Sequence, residues 1–96
     1  MPAVVRLGDM STKDPCGAPP RATAQGASKT FANGLPIHCV GHKWQPHSCP
    51  SSPPHTTATA VGSAKTFIEG RPIARVGDLI TCGSTCAQGS PDTMAN

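Results

Sequence analysis

The feature that most constrains this fold is a sentence written twice. "GASKTFANGLPIHCVG" (Gly26–Gly41) and "GSAKTFIEGRPIARVG" (Gly62–Gly77) align without a gap at a shift of 36 positions. Nine of the 16 aligned positions are identical: Gly26/Gly62, Lys29/Lys65, Thr30/Thr66, Phe31/Phe67, Gly34/Gly70, Pro36/Pro72, Ile37/Ile73, Val40/Val76 and Gly41/Gly77. A third copy is divided between the chain ends. "GSPDTMAN" (Gly89–Asn96) lies on Gly26–Asn33, and "VVRLGD" (Val4–Asp9) lies on Ile73–Asp78. Joining Asn96 to Met1 closes the register. An internal repeat of this kind is a set of units that cannot bury their apolar faces singly. The expected arrangement is three units about a pseudo-threefold axis, with the chain cut at the turn of one.

Each unit reads as a β-hairpin. β-formers flank Asn33-Gly34, a dipeptide suited to a two-residue turn with positive φ, and Glu69-Gly70 is its counterpart. Pro36 and Pro72 follow the turns, where an edge position tolerates a missing N–H. Alternate positions on the second strand form one apolar set: Val5 and Leu7, His38 and Val40, Ala74 and Val76. That face is expected toward the shared axis. The opposite face, with Arg6, Cys39 and Arg75 at one level, is expected to be wetter. "GD" at Asp9 and Asp78 reads as an Asx-type turn in which Asp bonds the backbone two residues on. His42 occupies the same slot and is expected to cap the turn. His38 reads as an interior histidine and Trp44 as a packing plug.

The 96 residues are expected to form one domain, 1–96. Five Val, four Ile, three Leu and two Phe are few for a conventional core, and 10 Gly with 11 Pro favour turns and short strands over helices. A chain so small and core-poor calls for a staple: a disulfide, a metal or a partner subunit. The net charge of +3 comes from scattered Lys and Arg, and there are only three aromatic residues. That composition argues against nucleic-acid binding. There is no apolar run near the ~20 residues of a membrane span and no signal-peptide core at the start.

Three irregular arms connect the hairpins: Met10–Gln25, Lys43–Val61 and Leu79–Gln88. Their starts are equivalent under the repeat, so they are expected to converge. Most of the five Cys and four His lie in or beside them. An odd number of cysteines excludes a complete disulfide framework in a monomer. A structural zinc, held by four N or S ligands in a tetrahedron, would lock such an apex, and its binding energy would become folding energy. The nominated ligands are Cys16 from arm one, His47 and His55 from arm two, and Cys82 from arm three. Cys49 can exchange with His47, and Asp14 with Cys16. Alternatives are a Cys16–Cys82 or Cys82–Cys86 disulfide, or simple buried thiols. A catalytic zinc protein would need an open coordination position, a general base and a pocket. None of the five acidic residues is placed like a base, so no enzyme activity is expected.

The segments "NGLPIHCVGH", "GRPIARVGD" and "PAVVRLGD" resemble the PAAR (proline-alanine-alanine-arginine) repeat proteins, over essentially the whole chain. "HSCP" in arm two and "CGS" in arm three are similar to the short spike-tip proteins of contractile-tailed phages. The tetrapeptide itself is altered: "PIAR" at Pro72–Arg75, "PIHC" at Pro36–Cys39 and "AVVR" at Ala3–Arg6. The resemblance implies an all-β cone of short hairpins with a zinc or iron ion near its apex. It implies a membrane-piercing tip that caps a trimeric β-helical spike, one monomer per trimer, in transient contact with a target membrane. Its location would be a virion tail tip or, alternatively, the spike of a bacterial type VI secretion apparatus. The phage-like subgroup carries an arm-one histidine a few residues after "GD". Here that place holds Asp14, which is why Cys16 is preferred.

Overall fold

The structure, a computed structural model, describes residues 2–13, 19–46 and 57–95. Among these residues every regular element is a strand or bridge, and there is no helix. β1 (Phe31–Ala32) pairs antiparallel with β2 (Leu35–Pro36), and β3 (Phe67–Ile68) with β4 (Arg71–Pro72). The registers match across the repeat: Phe31↔Pro36 and Ala32↔Leu35, then Phe67↔Pro72 and Ile68↔Arg71. Both turns place two consecutive residues at positive φ, Asn33 (54°) with Gly34 (78°) and Glu69 (53°) with Gly70 (80°). This is the type I′ geometry, whose twist suits a hairpin.

The chain ends build the third hairpin. Ala3 bridges Met94, the Ala95 N–H donates to the Pro2 carbonyl (3.1 Å), and the Val4 N–H to the Thr93 carbonyl (2.9 Å). The equivalent bonds in the intact hairpins are Ile37 N–H to Thr30 O and Ile73 N–H to Thr66 O, both 3.0 Å.

Triangular rings of backbone hydrogen bonds then join the units. Val5 N–H donates to Ala74 O (3.0 Å), Ala74 N–H to His38 O (3.0 Å), and His38 N–H to Val5 O (2.9 Å). One step along, Leu7 donates to Pro36 O, Val40 to Pro72 O and Val76 to Ala3 O, at 2.8–2.9 Å. These closed triangles establish the pseudo-threefold axis. They also pair the edges of the units, because within each ring every unit donates to one neighbour and accepts from the other, and the two rings run in opposite senses. Gly26, Gly62 and Gly89 allow this approach. A Cβ there would lie 2.7 Å from Pro36 Cβ, 2.7 Å from Ile73 O and 2.8 Å from Val4 O respectively.

The arms continue the pattern instead of leaving it. Met10 bridges Ala22, Lys43 bridges Ala58 and Leu79 bridges Thr85. Thr23 bridges Trp44, Thr59 bridges Ile80 and Ser11 bridges Cys86. Sequence reading missed this layer because the equivalent residues Ser11, Trp44 and Ile80 share no chemistry.

Two apolar clusters form the core. One holds Val4, Ala32, Ile37, Cys39, Ile73 and Ala95; the other holds Val5, Trp44, Ala74, Ile80 and Cys86. The expected wet face is therefore wrong at Cys39, which is fully buried. Strands in a triangular body pack on both faces, so strict apolar–polar alternation does not hold. Arg6 and Arg75 are half-buried beside Asp9 and Asp78. The Asp carboxylates accept from backbone N–H groups three residues back, Arg6 (2.8 Å) and Arg75 (2.7 Å), and not two residues on.

His38, Val5 and Ala74, joined in one backbone ring, are all fully buried. Ala74→Leu is expected to overpack the core and cost about 1–3 kcal/mol, lowering the melting temperature by several degrees. Ala64→Leu on the exposed side should leave melting unchanged, as measured by thermal unfolding.

Candidate functional site

Three regions bear on function: the hairpin turns, the axial interior and the meeting point of the arms. At the turns, Phe31, Phe67 and Met94 occupy the same position in the three units and are 55%, 57% and 49% exposed. Leu35 beside them is exposed as well. Single exposed hydrophobics need no explanation; here large ones recur at one equivalent position in all three units. The turns are braced against their neighbours. The Glu69 carboxylate accepts from Ser28 Oγ (3.2 Å), Lys29 N–H (3.1 Å) and Thr30 Oγ1 (3.4 Å), and these bonds hold it below the usual carboxylate range. Asn33 Nδ2 donates to Asp92 (2.8 Å) in the same manner.

The axial interior holds a buried polar chain that sequence reading only half identified. His38 is fully buried, as expected of an interior histidine. Its Nδ1 lies 2.8 Å from the Gln25 carbonyl, an acceptor only, so Nδ1 carries the proton. Nε2 then accepts from the Thr59 hydroxyl at 2.7 Å. Thr59 Oγ1 in turn accepts from Trp44 Nε1–H at 2.9 Å. Burial pushes the imidazole down to about 4, against the opposing pull of the Gln25 carbonyl. Thr59 was not singled out from sequence. Its signal is the alignment of "ATA" at Ala58–Ala60 with "ATA" at Ala22–Ala24 at the shift of 36, which puts Thr59 on Thr23.

His42 does cap its turn: its Nδ1 accepts from the Cys39 N–H at 2.9 Å, where Asp9 and Asp78 use a carboxylate. Trp44 is the packing plug expected of it, 1% exposed, with edge-on contact to His38 at 5.2 Å. The Cys39 thiol is pushed up to about 11 and that of Cys86 to about 12, both chiefly by burial. Neither is poised as a nucleophile.

The arms converge as the repeat requires. A small cavity is lined by Ser11, Pro19 and Arg21 of arm one, Trp44 and Thr57 of arm two, and Ile80, Cys82 and Ser84 of arm three. Half-buried Cys82 is the nominated ligand found there, its thiol 3.4 Å from Ser84 Oγ. Cys16, His47 and His55, with the alternates Cys49 and Asp14, lie outside the described residues. Among the described residues no three His, Cys, Asp or Glu side chains cluster closely enough to hold a metal, and Cys39, Cys82 and Cys86 are free thiols. A Cys82–Cys86 disulfide is therefore excluded. The donor chemistry at the cavity fits a metal in kind: Cys82 supplies a soft sulfur, and Pro19 and Thr57 directly follow the segments carrying the other nominees.

Removing the central hydroxyl tests the axial chain. Thr59→Val leaves His38 Nε2 and Trp44 Nε1–H buried without partners, an expected loss of about 3 kcal/mol. Denaturant titration monitored at Trp44, the single tryptophan, measures it.

No curated protein matches the chain. The PAAR motif matches residues 22–88, well over half of it. With the closed triangular rings and the hairpin rebuilt from both ends, the conclusion is that this chain belongs to the PAAR motif family, which is associated with the spike tips of contractile injection systems.

Proposed function

We propose that this protein is a structural, non-enzymatic piercing tip that caps a trimeric β-helical spike, one monomer per trimer. The observation that carries this reading is the repetition of a large exposed hydrophobic at Phe31, Phe67 and Met94. In a chain short of bulky apolar residues, three such side chains stand on the surface at equivalent positions. A partner with true threefold symmetry can meet one in each of its subunits. Burying each contributes about 2 kcal/mol, and the bound state gains the stability that a thin core lacks. A tip driven through a membrane must resist local unfolding, and the rings of backbone bonds leave few places for it to begin.

On this reading a zinc or iron ion ties the three arms at the apex. The chemistry it would supply is cross-linking: one charge centre held by Cys82 with Cys16, His47 and His55, Cys49 and Asp14 being the alternates. Cys82 reaches the junction from arm three, and Pro19 and Thr57 bring arms one and two to it. The favoured location is the tail tip of a contractile-tailed phage, because arms two and three are similar to that subgroup. The second reading is the bare tip of a type VI secretion spike. It keeps the same geometry and differs only in partner.

Native mass spectrometry with a candidate trimeric spike protein is expected to give one chain per trimer. Phe31→Asp combined with Phe67→Asp should abolish the complex while leaving the fold intact. Three chains per trimer would refute the capping geometry. In a separate measurement, Cys82→Ala is expected to lower bound metal and the melting temperature together. Unchanged metal content would remove Cys82 from the ligand set.

A further inference from the structure

The three sectors of the axis close by the same turn but not with the same chemistry. In two of them an aspartate holds the turn. Asp9 accepts from Arg6 N–H, Nε and Nη2 at 2.8, 2.9 and 3.0 Å; Asp78 accepts from Arg75 N–H, Nε and Nη2 at 2.7, 3.1 and 3.0 Å. In the sector of the first hairpin, Cys39 stands where the arginine would be and His42 where the aspartate would be. In that turn the Cys39 N–H donates to His42 Nδ1, which requires Nδ1 to be unprotonated, while the His42 N–H donates to the Cys39 carbonyl at 3.1 Å. His38, in the same sector, also accepts at a ring nitrogen.

From this geometry we infer that the first hairpin's sector is an acid-sensitive latch, closed when His38 and His42 are both neutral and released when they are protonated, while the Asp9 and Asp78 sectors stay shut. A proton on His42 Nδ1 would face the Cys39 N–H, donor against donor. A proton on His38 Nε2 would turn the Thr59 hydroxyl away and leave a cation in a fully buried site. The surroundings oppose both charges. The two imidazoles face each other edge-on at 5.6 Å. The Arg71 guanidinium of the second hairpin donates to Val40 O at 3.2 Å and repels charge on His42. Glu69 on that hairpin favours a charged His42, and Asp9 a charged His38, but burial outweighs each. Cys86, packed across from Thr59, is held as the neutral thiol by burial.

His38 titrates near 4 when buried, against an ordinary 6.5, so the latch is intact above 6.5 and weakens as pH falls toward 4. His42 is shifted in the same direction, first by burial. The three sectors loosen unequally in acid with or without a spike partner or a metal.

Amide hydrogen exchange of the full chain, followed residue by residue by NMR, tests it. Protection factors at Cys39 and Gly41 are expected to fall about 20-fold between pH 7 and pH 5. Those at Arg6, Arg75 and Gly77 should hold. Equal loss in all three sectors, or retained protection at Cys39 and Gly41, would overturn the inference. His42→Asp restores the carboxylate of the other sectors and should make the pH dependence at Cys39 shallower. A slope identical to wild type would remove His42 from the latch. Should that variant fail to fold, the wild-type comparison between sectors still decides.

Discussion

Everything in this molecule depends on the closed ring of three backbone hydrogen bonds linking Val5, Ala74 and His38. Among the described residues no strand is longer than two residues, and a lone hairpin is marginal in water. Closure changes the situation. Each unit saturates its neighbour's backbone, and buried N–H and C=O groups that would each cost free energy if unpaired are paired around the axis. The apolar clusters are small, so backbone satisfaction carries an unusual share of the structural specificity. The same closure explains why the chain can be cut at a turn: the third hairpin is held by its neighbours, and its two halves need no covalent turn between them.

At two levels the equivalent positions of the three units carry side chains of unequal size. At one level His38 accompanies Val5 and Ala74; at the next Trp44 accompanies Ser11 and Ile80. Both large residues come from the same unit. They are polar at their tips, so they bring a hydrogen-bonding chain through Thr59 into the interior. A fully satisfied buried network favours one arrangement over its near-equivalents. In a pseudo-symmetric body this matters, because the three sectors could otherwise exchange partners at little cost. The asymmetry that fills the axis also concentrates the titratable groups in one sector.

Much of this was legible in the residues. The 36-residue shift and the divided third copy contain the topology, because register and turn position repeat with the sequence. The slot shared by Asp9, His42 and Asp78 foretold a cap, although Asp reaches back to the N–H three residues earlier. Cys39 was misplaced because alternation assumes one dry and one wet face, and a strand inside a triangular body has neither free. The bridges of the arms left no trace, since backbone bonding there is indifferent to side-chain type: Met10, Lys43 and Leu79 do the same job. Thr59 was missed for a related reason. Its role depends on the histidine and tryptophan brought to it by the axis. For the nominated metal ligands, geometry speaks only at Cys82.

The central claim is that three units close on one another through the backbone, with the chain termini forming one of them. Scalar couplings across hydrogen bonds, measured by NMR on the isotopically labelled protein, test it most directly. The account predicts three correlations that form a loop: Val5 nitrogen to Ala74 carbonyl carbon, Ala74 to His38, and His38 to Val5. Correlations confined within each hairpin, with none of the three between units, would contradict it.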